Sequence, residues 1–246
     1  MSEQDSSAFT TEQFEVLYPP GVEHHYWNLC RNRVIARMLR RSGADGPILE
    51  VGCGKGLVTK ALRERGFDVR GVEIAPVPPL PGMEAHVRSS FDVFAMEPME
   101  AATYRTVMLL DVIEHLEDPE RFLRMLRGKF TGCTMLLVTV PARQELFSNY
   151  DRFNGHHLRY DRATLTRHLT AWSGKGAFEL RYFFHVLYPS ARWLLALRGK
   201  RPVHFTVPAS WFSRSVHKLI GLLLFADHLL IPGNTKGTSL LGIQRT

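Results

Sequence analysis

Cysteine is scarce in this chain, with three among 246 residues at Cys30, Cys53 and Cys133. They are too widely separated for the paired spacing of a zinc site and too few for a disulfide framework, so no metal is expected and a reducing cytoplasm fits. Long apolar runs are missing as well. The first 17 residues are rich in Ser, Thr, Glu and Gln with no core of signal-peptide length. Residues 1–20 therefore read as a flexible tail ahead of one domain over 21–246. The apolar stretch 211–231 is interrupted by Arg214, His217, Lys218, Asp227 and His228, which leaves it well short of the roughly 20 residues that cross a bilayer. Negative charge is also in deficit, with 24 Asp and Glu against 31 Lys and Arg, a net +7. No nucleic-acid module or aromatic-basic RNA motif accompanies that excess, so nucleic acid is not favoured as a partner. An anionic small molecule or a lipid-linked acceptor accounts for the charge equally well, with peripheral membrane contact as an option.

What the chain does have is the material of an α/β core, 45% hydrophobic and 22% charged residues, enough for one large core. The run Ile48-Leu49-Glu50-Val51 suits the middle of a parallel sheet, and Gly52, Gly54 and Gly56 follow at alternate positions before an amphipathic segment. It reads as strand, tight turn, helix. Glycine is needed where a ligand approaches the main chain closely, because a Cβ would fill the space. A plain glycine turn is the other reading. The nicotinamide and flavin fingerprint places its third glycine three residues after the second, for packing helix on strand, and that position here is Leu57. The helix 57–65 stops at Gly66. Glu73 then ends the strand 69–74, about 20 residues on, where such folds place an acid that accepts from ribose hydroxyls. A solvated strand end is the plainer alternative.

Ile48 to Gly56 resembles the first motif of the class I S-adenosylmethionine (SAM)-dependent methyltransferases, two hydrophobic residues and an acid, then a hydrophobic residue and Gly-x-Gly-x-Gly. Asp111-Val112-Ile113-Glu114-His115-Leu116-Glu117-Asp118-Pro119 resembles a segment common to one subfamily. Asp151, Gly155, His156, Arg159 and Tyr160 match the spacing of its segment over the acceptor site. The resemblance covers about 26–245. It implies a Rossmann-like α/β fold with a seven-stranded, mostly parallel sheet in the order 3-2-1-4-5-7-6, the last strand antiparallel. Helices would flank the sheet, and a helical elaboration over 189–236 would lie between the last two strands.

The cofactor implied is SAM, with S-adenosylhomocysteine (SAH) as product. It would meet Glu50, Gly52, Cys53, Gly54 and Gly56 on the loop, and Glu73 and Ile74 after the second strand. Asp111 and Val112 would face it after the fourth. After the third strand, near 85–87, an Asp usually holds the adenine amino group. Ser90 and Phe91 occupy that neighbourhood here and Asp92 comes late, which puts the adenine contact in question. Pro76, Pro78, Pro79 and Pro81 replace the expected helix with a compact loop.

For the acceptor, Tyr26 and Trp27 belong to an aromatic patch that resembles the family's segment over the cleft. They lie in a basic amphipathic helix expected from Val22, on which Trp27, Cys30, Val34 and Met38 recur at helical spacing. Tyr150, Arg159 and Tyr160 lie in the polar, aromatic stretch 149–160, which reads as a loop just beyond a parallel strand. A rigid loop of mutually satisfied side chains is its bland reading. If the acceptor is a hydroxyl, His156 or His157 is best placed to take its proton, with His115 a weaker candidate that is more often a local hydrogen-bonding partner. The activity implied is methyl transfer to an oxygen or nitrogen of a small-molecule or lipid-linked acceptor. A non-catalytic SAM- or SAH-binding protein and an NAD(P)-dependent Rossmann enzyme are the rivals. The elaboration reads as a lid over an apolar acceptor, an interfacial surface on lipid, or a dimer or packing face.

Overall fold

Seven strands, β1 Ile48–Val51, β2 Val69–Val72, β3 Val87–Arg88, β4 Thr106–Leu110, β5 Met135–Pro141, β6 Phe178–Phe183 and β7 Ser239–Arg245, form one sheet. Its order is β3-β2-β1-β4-β5-β7-β6. The first five run parallel, and β7 lies antiparallel between β5 and β6, as the sequence leads one to expect. The computed structural model describes residues 9–174, 178–204 and 206–245.

The helices are α1 Thr11–Leu17, α2 Tyr26–Arg41, α3 Leu57–Arg63, α4 Pro98–Ala101, α5 Pro119–Lys129, α6 Asn149–Phe153, α7 Arg162–Ser173, α8 Leu187–Arg198 and α9 Trp211–Leu230. The central strands β1 and β4 are buried at every position and mostly apolar, because both faces are covered. Val107, Leu109, Leu136 and Val138 point to one face, where Leu123 and Leu126 of α5 and Leu165, Leu169 and Trp172 of α7 close over them. Met108, Leu110 and Leu137 point to the other, against Val34, Ile35 and Met38 of α2, Leu62 of α3 and Leu224 of α9. Each leucine-sized side chain so buried contributes roughly 2 kcal/mol. Asp118 caps α5 by accepting from the Arg121 N–H at 2.8 Å, with Pro119 in the first turn.

The structure departs from the sequence reading in three places. Residues 9–20 are not a loose tail. Thr10 and Gln13 form a capping box that starts α1, and Phe14, 3% exposed, docks on Ala75 and Val77 with Phe9 and Tyr18 beside it. Three apolar anchors in a polar segment are enough, because the proline-rich loop after β2 gives them a floor. The second helix starts at Tyr26 rather than Val22, after a short 3₁₀ turn Val22–His24. The stretch 149–160 opens with a helical turn, α6, held by the Ser148–Asp151 capping box. The loop expected from the four prolines is present and closes on the glycine loop, Leu80 N–H donating to the Lys55 carbonyl at 2.8 Å.

α8 and α9 make the elaboration between β6 and β7. Gly221 is buried where α9 crosses α2, and a Cβ there would sit 3.1 Å from the Leu29 Cβ and 3.2 Å from the Tyr26 carbonyl. Asp227, near the end of α9, accepts from the His185 N–H at 2.9 Å and ties the helix to the sheet end.

Candidate active site

A cavity of about 650 Å³ opens over the carboxyl ends of β1, β2, β4 and β5, within the range of ligand sites. Its floor is the turn after β1. Gly52 and Gly54 both take left-handed backbone, with φ of 72° and 56°. A Cβ at Gly52 would sit 2.8 Å from Val112 Cγ2, and one at Gly54 would overlap the Tyr18 hydroxyl. Glu73, buried at the end of β2, accepts from the Gly54 N–H at 2.8 Å through Oε2 and from the Ala75 N–H at 2.9 Å through Oε1. The acid and the glycine turn are thus one hydrogen-bonded unit. Gly56 has another job. A Cβ there would meet Val87 Cγ2 at 2.6 Å, so its bare backbone lets the turn pass close to β3.

Glu50 is 2% exposed and accepts from the Thr59 hydroxyl at 2.5 Å. Burial raises its carboxyl to about 7 despite that bond and the Arg31 charge. Arg31 reaches in from α2, pairing Nη2 with Asp111 Oδ2 at 2.6 Å. Its guanidinium lies 5.0 Å over the Trp27 ring, and Nε is buried without a partner. Asp111 also accepts from the Thr139 hydroxyl at 3.2 Å. Its φ of 58° is uncommon outside glycine and marks the end of β4 as strained.

The opposite wall is a network centred on Asp151. Its Oδ1 lies 2.9 Å from His156 Nδ1 and 2.7 Å from Arg159 Nε, and Oδ2 accepts from the Ser148 N–H at 2.9 Å. Burial alone would raise this carboxyl, but the bonds from His156 and Arg159 and the Arg159 charge outweigh it and hold it at about 2. His115 stacks edge-on between Phe9, at 4.9 Å between ring centres, and His156, at 4.7 Å. Burial, then the His156 charge, lowers it to about 3. Burial, then the Asp111 charge, pushes Glu114 well up, and neither of its carboxyl oxygens has a partner. No metal set is expected from the sequence, yet Glu114, His115 and His156 bring one ligand atom each within 4.8 Å of one another, donors of the kind a divalent cation takes.

Of the expected site residues, Glu50, Gly52, Cys53, Gly54, Glu73, Asp111, His115, His156, Tyr26, Trp27, Tyr150 and Arg159 line this one cavity. The others do not. His157 is exposed, tied by its N–H to the Glu114 carbonyl at 2.8 Å. Tyr160 is fully buried and donates to the Ile113 carbonyl at 3.2 Å, beside His168 Nδ1. Both are corrected to supporting positions by the turn of the chain after Gly155. Ile74 points to solvent, 51% exposed. Ser90 and Phe91 pair through their N–H groups with the Ala75 and Glu73 carbonyls, and Asp92 caps the next 3₁₀ turn through the Phe94 N–H at 2.9 Å. Phe14 and Tyr18 line the cavity from the N-terminal segment instead. Val112 and Gly56 serve as packing beside the floor.

The sequence reading missed Tyr18, Arg31 and Arg201 as cavity residues. For Arg31 the signal was present, since the Trp27 to Arg31 spacing puts both on one helix face. Arg201 lies 5.1 Å over the Tyr150 ring. It is held through its backbone by the Asn149 side chain, a pairing across 52 residues that no local pattern announces.

The sequence profile of a methyltransferase domain matches residues 22–173. The chain belongs to this methyltransferase family. A ubiquinone biosynthesis O-methyltransferase of Xylella fastidiosa is 30% identical to this family member over 125 residues, 48% of this chain and 50% of the relative. The chain thus spans about half the length of the curated relatives it matches. Solved structures share the methyltransferase fold. A SAM-dependent methyltransferase from Thermotoga maritima superposes with a TM-score of 0.57 at 14% identity, over 91% of each chain. A plantazolicin methyltransferase solved with SAH gives 0.53 at 12%, over 96% of this chain and 88% of its own.

Proposed function

We propose that the chain binds SAM and moves its methyl group, by in-line displacement, to an oxygen or nitrogen of a small-molecule or lipid-linked acceptor. The observation that carries this reading is the Glu73–Gly54 unit beneath the cavity, an acid and a glycine turn locked together at the rim of the sheet. The residues fit the cofactor. Gly52 and Gly54 line the cavity and would offer SAM main chain without side-chain bulk, Glu73 would take the ribose hydroxyls, and Arg31, with its unpartnered Nε, would meet the carboxylate. When bound, SAM supplies a methyl group made electrophilic by its sulfonium.

The protein's part is to align the acceptor, exclude water and take a proton where the acceptor is a hydroxyl. His156 is suited to the last task. Donating from Nδ1 to Asp151 fixes its tautomer and leaves Nε2 as the acceptor, the division of labour of an Asp–His pair. The O-methyltransferase name of the curated relatives supports a hydroxyl acceptor. Leu187 and Leu194 offer an apolar wall, and Arg201 a cation for an anionic substituent.

Calorimetry with SAM and SAH, followed by transfer of labelled methyl from SAM to a catechol and to a primary amine, tests the proposal. Binding with transfer to either supports it. Binding with no transfer favours the non-catalytic alternative, and no heat with either nucleoside, with NADH binding instead, overturns it.

A further inference from the structure

The apolar surface of this chain is concentrated on one element. On α9, Trp211, Phe212, Val216, Leu219, Leu222, Leu223, Leu229 and Leu230 are all exposed, the two ends as much as 81% and 82%. At 100° per residue they fall opposite Gly221, Leu224 and His228, which are buried toward α2 and the sheet end, with buried Asp227 at the edge of the arc. The outward side is therefore an apolar stripe about 30 Å long, with Ser215 its one polar member. Trp193 and Leu197, one turn apart on α8, are 67% and 63% exposed. Isolated exposed leucines are ordinary, but a continuous stripe marks a surface that something covers.

Charge says what covers it. From residue 180 to the end the chain holds one acid, Asp227, against nine lysines and arginines. That acid is buried and bonded to the His185 N–H, so the described surface of this region carries no negative charge. Arg214 and Lys218 flank the stripe, and Arg192, Arg198 and Lys200 lie on and after α8, all exposed. A second copy of the chain would bring two such cationic rims together. An anionic lipid surface meets both features at once, headgroups on the cations and acyl chains on the stripe. No helix among the described residues is long and apolar enough to cross a membrane, and the inner side of α9 is already taken by α2. The helix must lie flat.

We infer that α9, with the exposed end of α8, docks this protein on the surface of an anionic bilayer. Leu187 and Leu194 of α8 also line the cavity, so the docked face adjoins the acceptor wall. Docking does not depend on methyl transfer, and its test does not read activity.

Flotation with vesicles of phosphatidylcholine alone and of phosphatidylcholine mixed with phosphatidylglycerol tests this inference on the whole chain. Binding is expected to the mixed vesicles, to weaken with added salt, and to be accompanied by a blue shift of tryptophan fluorescence. Leu219→Asp with Leu223→Asp changes two exposed positions, so the melting temperature should hold while partitioning falls roughly tenfold or more per leucine. Arg214→Glu with Lys218→Glu should cost about fivefold per cation. The inference is overturned if the protein floats with neither vesicle, or if the aspartate variant floats as well as the parent. A dimer in sedimentation that the aspartate pair dissociates, with no flotation, overturns it too and assigns the stripe to a second copy.

Discussion

Asp151 serves three partners at once: the backbone start of α6, the Arg159 guanidinium and the His156 ring. The last is the proposed proton acceptor. His156→Gln keeps much of the ring's volume and loses its proton affinity, so transfer to a hydroxyl acceptor should slow by about 10²- to 10⁴-fold while SAH affinity measured by calorimetry stays within twofold, order of magnitude unchanged. Loss of SAH binding in that variant would give His156 a structural role instead. Glu50 carries a prediction of opposite character. Its folded value is raised from 4.5 to about 7, so the folded state holds the proton more tightly than the unfolded chain. Stability therefore falls as pH rises from 4.5 toward 7 and stays at the lower level above. Glu50→Gln should flatten that decline and melt higher than the parent on the alkaline side. Thermal melts across the window check it, and parallel slopes in the two proteins would refute it. Asp151 runs the other way. Held at about 2 against an ordinary 3.8, it contributes stability present above pH 3.8 and lost as pH falls toward 2, so Asp151→Asn should remove an acid-side transition in the same melts.

Among the elements, α1 is the least expected. Phe14→Asp would put a charge between Ala75 and Val77, at a cost of about 3 kcal/mol, and should release the helix alone. Amide exchange across 11–17 should then rise while β1, β4 and β5 stay protected; unchanged exchange in α1 would show that Phe9 and Tyr18 suffice to hold it. The difference between what could be read in the sequence and what could not is sharp here. The strands β1, β4 and β5 are legible because burial on both faces demands predominantly apolar runs, and the glycine turn and Glu73 because their spacing is set by local geometry. α1 is illegible because its partners lie some 60 residues away in a proline loop, and short helices show little periodicity. The same cause hides Arg201, whose place is set by Asn149. His157 and Tyr160 misled because a motif gives the order of residues along the chain, while the direction each side chain takes is decided by the turn at Gly155.

For the molecule as a whole, binding that favours the folded state must appear as stability. SAH at a hundredfold excess over its dissociation constant should add about 2.7 kcal/mol, a Tm rise of roughly 5–10 °C for a chain of this size, with NADH giving none. Equal shifts from both would return the nicotinamide reading to favour. The lining of the cavity comes from unrelated parts of the chain, Phe14 and Tyr18 near its start and the beginning of α8 with the stretch around Arg201 near its end. If, under the proposed reaction, spent nucleoside leaves past one of these parts and methylated product past the other, neither has to wait for its companion. Turnover should follow a random rather than a compulsory order of release, so a defect engineered into one part would slow the exit of one product and spare the other.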